Sequence, residues 1–113
     1  MGFRWDLVFS SIPALLQGAK LTVQLTTIAV FFGIILGTIA GIGRLSKTPL
    51  RLVAASYIDI IRGTPLLVQT FLIFYGLPSL ISRPIPAYTA AILALSINSG
   101  AYVGEIVRSG IQS

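Results

Sequence analysis

Few residues in this chain could do chemistry, and those few stand singly in apolar surroundings. Gln69 and Asn98 interrupt long uncharged stretches, while Tyr102 and Glu105 follow Asn98 at helical spacing. An amide such as Asn98 offers two donors and an acceptor. Inside a membrane helix it serves either a neighbouring helix or a solute passing through a watery cavity. Gln69 carries the same two readings. Glu105 lies three residues before Arg108, the spacing of an ion pair on one helix, and the alternative is direct contact with a solute. Asp59 and Arg62 have the same spacing and can pair at the cytoplasmic edge of a helix.

Bond-making chemistry finds little support. The chain has no cysteine, no histidine and only 3 Asp and Glu residues. That excludes a disulfide framework and the thiolate or imidazole ligands of zinc and haem. It also leaves no plausible nucleophile with a base, so no catalytic residue and no metal ligand are assigned.

The elements that position these groups follow from composition. Of 113 residues, 55% are hydrophobic and 10% charged, with a mean hydropathy of +0.92. Soluble domains carry about 25% charged residues, so this chain lacks the polar surface to stay in water. The net charge of +5 is spread singly rather than clustered among aromatics, which argues against nucleic acid. A lipid bilayer is the expected surrounding.

Three charge-free stretches are long enough to cross it. Leu21 to Gly43 lies between Lys20 and Arg44, Gly63 to Ser82 between Arg62 and Arg83, and Pro84 to Gly104 stops at Glu105. As a helix the first would be about 35 Å long, against a hydrocarbon core of about 30 Å. Gly76 and Pro78 are expected to close the second, and Pro84 and Pro86 to precede the third. Pro65 could begin a helix or kink a longer one starting near Pro49. Before the first span, Trp5, Val8, Phe9, Ile12, Leu15 and Leu16 recur at helical spacing, which suggests a short surface helix disturbed by Pro13. A signal peptide is disfavoured, since no small-x-small site follows the broken apolar run. Asp6 stands where myristoylation would require Ser or Thr. The expected fold is thus all-α: an amphipathic helix over 1–17, spans over 18–43, 50–78 (with a cytoplasmic-edge helix) and 86–108, and a cytoplasmic segment from 109 to 113.

Arg44, Lys47 and Arg51 occupy the first loop and Arg83 alone the second. The positive-inside rule therefore puts the first loop in the cytoplasm and the N-terminus outside. Ala29, Gly33, Gly37 and Gly41 recur every four residues, a groove for close helix packing. Ala87, Ala91, Ala94, Asn98, Ala101 and Glu105 form a small-then-polar seam along the third span.

The string Arg62-Gly63-Thr64-Pro65-Leu66-Leu67-Val68-Gln69, followed by Phe74-Tyr75-Gly76-Leu77-Pro78, resembles permease subunits of bacterial ABC importers for polar amino acids. So do Leu21-Thr22-Val23-Gln24-Leu25 and the stretch from Asn98 to Ser113. The resemblance implies the five-helix permease core, of which this chain supplies three helices and the approach to a coupling helix. A fragment of a longer subunit is expected. It also implies a multi-pass protein of the bacterial inner membrane, a second permease subunit in a homo- or heterodimer, a cytoplasmic ABC ATPase pair and an extracytoplasmic amino-acid-binding protein. ATP and Mg would sit on the ATPase, since this chain has no phosphate-binding Gly-x-x-x-x-Gly-Lys-Ser/Thr loop. By position, Gln69 and Asn98 become candidates to line the path of an amino-acid substrate, with Tyr102 and Glu105 behind them. The alternative is a small helical pore or assembly protein without ATP coupling.

Overall fold

The structure, a computed structural model, describes residues 5–112, which are helical almost throughout. Residues 1–4 and 113, where the expected first and last segments end, lie outside the described residues. Helix α1 runs from Trp5 to Arg44 without interruption. At 1.5 Å per residue its 40 residues span about 60 Å, twice a hydrocarbon core. The expected boundary between an amphipathic segment and a span at 17/18 is therefore not a break in the backbone. Pro13 removes one N–H but does not end the helix, and the Ser10 and Ser11 hydroxyls donate back to the Leu7 carbonyl at 3.0 and 2.7 Å. Taken over its full length, α1 shows no single polar face.

Helix α2 (Leu50–Gly63) follows a tight turn, and its buried face carries Ala54 and Ile58. The chain then breaks. Thr64 is extended (φ −110°, ψ 137°), as a residue before proline prefers, and Pro65 (ψ 141°) caps α3 (Leu66–Phe71). A π-helical turn over Leu72–Gly76 and helix α4 (Leu77–Ile81) continue α3 as one rod, bent 109° from α2. Pro65 thus separates two helices. Pro78 does not close the span as expected, because it falls in the first turn of α4, where a missing N–H is tolerated. The rod ends instead at Ser82, in the left-handed region at φ 59°. Helix α5 (Ala87–Gln112) runs one turn past the expected end at Arg108. Helices α1 and α5 are long and apolar enough to cross a membrane, and the bent pair makes a third crossing if taken as one span.

Helices α1 and α5 run parallel and meet along small residues. A methyl placed on Gly33 would lie 2.6 Å from Ser99 Cβ, on Gly37 2.6 Å from the Gly100 carbonyl oxygen, and on Gly41 2.7 Å from the Gly104 carbonyl oxygen. Ala29, Ala40, Ala90, Ala94 and Ala101 are buried as well, and Ile58 of α2 is the one large side chain fully buried among the described residues. Large apolar groups face outward: Phe31 is 60% exposed and Ile39 65%. Small residues inside and large ones outside invert the soluble pattern, and suit a bilayer, where close backbone contact rather than hydrophobic burial drives helix association.

Gly37→Ala should lower the stability of the detergent-solubilised protein by ~1–3 kcal/mol, because the seam is already filled. Gly18, where an added methyl would have nothing within 4 Å, should accept alanine with no loss or a gain of about 0.5–1 kcal/mol. Thermal unfolding of the two variants side by side checks both.

Candidate functional site

The break at Thr64 and Pro65 frees backbone carbonyls at the end of α2, and in a membrane each must find a donor. The Thr64 hydroxyl donates to the Ile60 carbonyl at 2.6 Å, and the Thr64 N–H to the Ile61 carbonyl at 3.2 Å. Gln69, one turn into α3 and buried to 5% exposure, supplies the rest. Its Nε2 donates to the Ile61 carbonyl at 2.9 Å and to the Thr64 carbonyl at 3.0 Å, and its backbone N–H to the Pro65 carbonyl at 3.2 Å. Its Oε1 accepts from Asn98 Nδ2 of α5 at 3.2 Å. Two of the four candidate path residues are therefore joined directly, across helices distant in the chain.

One residue earlier on α5, the Ile97 carbonyl accepts the hydroxyl of Tyr57 from α2 at 2.5 Å. Gly100 makes room for it, since a methyl there would fall 2.5 Å from the Tyr57 oxygen. Tyr57 was not among the candidates read from the pattern. The signal was its place on the buried face of α2 beside Ala54 and Ile58, since a buried phenol requires an acceptor.

The other two candidates lie at the far end of α5, where charged groups gather. Glu105 accepts from Arg108 Nε at 3.0 Å and from a second nitrogen of the same guanidinium. Arg44 of α1 reaches Glu105 at 3.4 Å and Asp59 of α2 at 3.0 Å, while Arg62 lies 3.8 Å from Glu105. Asp59 thus pairs across helices with Arg44 rather than with Arg62, because α1 ends directly beside it. The Arg62 guanidinium sits 5.7 Å from the centre of the Tyr102 ring, within cation–π range. Three helices are tied here by three guanidiniums and two carboxylates. Arg62, Tyr102, Glu105, Ile106 and Ser109 line a shallow cleft of about 320 Å³. The packing candidates Gly33, Gly37 and Gly41 form the α1–α5 seam that holds both polar sites in register.

Residues 33–113 match the family of binding-protein-dependent transport system inner membrane components. The chain is 45% identical over 111 residues to the L-cystine transport system permease protein TcyB of Bacillus subtilis, covering 96% of this chain and 47% of that protein. It is 35% identical to the arginine transport system permease protein ArtQ of the same organism and 36% to the glutamine transport system permease protein GlnP of Escherichia coli, covering 100% of this chain and 52% of each. Among solved structures, an amino acid ABC transporter with histidines superposes with a TM-score of 0.92 at 43% identity, over 100% of this chain and 53% of that one. The chain spans about half the length of the curated relatives it matches.

The cluster around Glu105 should be read by double-mutant cycles in detergent. Coupling between Glu105 and Arg108 should exceed that between Glu105 and Arg62, which at 40% exposure of Arg62 belongs with surface pairs worth about 0–1 kcal/mol. Raising the salt to about 1 M should shrink the weaker coupling first. Equal couplings would mean that Arg62 is held as firmly as Arg108.

Proposed function

The chain belongs to the family of binding-protein-dependent transport system inner membrane components, and from that membership we propose that it forms part of the membrane-spanning permease subunit of an ATP-driven amino-acid importer. The observation that carries this reading is the joining of Gln69 and Asn98 beside a bent helix pair, in a chain that aligns along nearly its whole length with permeases for cystine, arginine and glutamine. A polar amino acid is accordingly the proposed cargo.

The subunit works by alternating access, paired with a second permease subunit and driven by two cytoplasmic ATPase subunits that hold ATP and Mg. An external binding protein delivers the amino acid. The ionic cluster and the first loop, with Arg44, Lys47 and Arg51, lie at the cytoplasmic end, and the N-terminus lies outside, in keeping with the positive-inside rule. Residues 5–17 of α1 rest at the outer interface, where Trp5 and Phe9 suit the headgroup boundary.

Asn98 is the path residue we favour. Its Nδ2 makes one bond to Gln69, and an amide has a second N–H and a carbonyl oxygen to offer. Tyr102 and Glu105 follow it toward the cytoplasmic end, where Arg62 and Arg108 balance the carboxylate that an amino acid would pass.

Vesicles containing the whole subunit, its ATPase and its binding protein should take up labelled amino acid only with ATP. Asn98→Ala should slow uptake about fivefold, the equivalent of the ~1 kcal/mol of one intramembrane polar contact. Leak of solute without ATP would overturn the importer reading in favour of an uncoupled pore.

A further inference from the structure

Both arms of the bend touch α5 at the same turn. From α2, Tyr57 donates to the carbonyl of Ile97; from α3, Gln69 receives the amide of Asn98. Between these contacts, the bend itself is closed by Gln69, whose two side-chain N–H groups span from Ile61 to Thr64. Both donors are thus spent within the bend, and the amide oxygen is engaged by Asn98. A solute could use the Gln69 donors only by opening the carbonyls they cover, at the cost of leaving polar backbone unpaired beside a side chain only 5% exposed.

We propose that Gln69 is a positioning residue: it holds α2 and the α3–α4 rod as one rigid elbow, and through Asn98 it makes that elbow follow α5. This rests on the permease reading for its consequence in transport, although the geometry is testable without it. Movement of α2 then reaches the middle of α5 at residues 97 and 98 without loss in the bend. The compliant part of the rod lies beyond the elbow. The π turn over Leu72–Gly76 replaces the ordinary ladder there, a local irregularity frequent where helices do work. Gln69 acts on the path through the orientation of Asn98.

These 113 residues hold no cysteine, so a pair of introduced thiols can be labelled here once any cysteine elsewhere in the subunit and its ATPase is replaced. Leu52→Cys and Leu67→Cys, at positions 72% and 65% exposed on either side of the bend and both short of the π turn, carry spin labels in the whole subunit assembled with its ATPase in lipid nanodiscs. The distance between labels should have a narrow distribution. Gln69→Leu, which keeps the side chain's bulk but has no amide, should widen it by roughly twofold, since the uncovered carbonyls must seek water or other donors. Asn98→Ala should leave the distribution narrow, because the donors to Ile61 and Thr64 survive, while lowering the amino acid transported per ATP hydrolysed. Gln69→Glu, which loses the donors and retains an acceptor, gives the same reading if the leucine variant does not assemble, and its distribution should widen likewise. An unchanged distribution in a correctly assembled Gln69 variant overturns the proposal. Absence of ATP-driven uptake in the unsubstituted subunit would instead sink the permease reading and leave the distance result standing.

Discussion

Contact between backbones constrains everything else in this molecule. At Gly33, Gly37 and Gly41 the α1 helix lies so close to α5 that no methyl group fits without displacing main-chain or Cβ atoms. In a bilayer the lipid is as apolar as a leucine side chain, so burial of large residues gives little drive to assemble, and close packing of small ones supplies it. The parallel register that follows is narrow. It sets the height of Gly100, which admits the Tyr57 hydroxyl, and of Gly104, whose neighbour is Ile58 of α2. Helix α2 is thereby docked against both long helices, with Ile58 against Gly104 and Ala54 against Gly43.

Polar groups are then placed by the need to satisfy them. A proline after an extended threonine breaks the second helix, and the break leaves carbonyls that hydrocarbon cannot solvate. Thr64 and Gln69 cover them from both sides, and the remaining acceptor of Gln69 reaches Asn98. About two turns further along α5, the ends of α1 and α2 converge on Glu105, so one carboxylate serves arginines from three helices. The two sites differ in kind. The amide network is enclosed and short-ranged, whereas the ionic cluster is half-exposed, open to salt, and suited to rearrangement at low cost.

The spans, the glycine groove and the Glu105–Arg108 pair were legible because each depends on local spacing. Gly33, Gly37 and Gly41 recur every four residues whatever they meet, and a three-residue gap sets an ion pair on one helix. Partners across helices were not legible. By spacing Asp59 can pair with Arg62, and only the position of the α1 end beside α2 gives it Arg44 instead. Gln69 and Asn98 were singled out as polar groups in apolar helices, but the pattern gave no sign that they face each other. Helix ends were misread for related reasons. Pro13 was expected to disturb a helix and Pro78 to close one, yet α1 runs on through Pro13, and Pro78 is carried inside the rod by its place in the first turn after a π turn.

The seam between α1 and α5 is tested most directly by compensation. A methyl on Gly33 would meet Ser99 Cβ at 2.6 Å, and its next neighbours stand at 3.3 and 3.4 Å. Removing the Ser99 side chain therefore opens the space that the methyl requires. In a thermal-unfolding cycle of the detergent-solubilised protein, Gly33→Ala alone should be destabilising by ~1–3 kcal/mol, and adding Ser99→Gly should restore most of the loss. Losses that simply add, with no rescue, would contradict the parallel register on which the bend, the amide tie and the ionic cluster all depend.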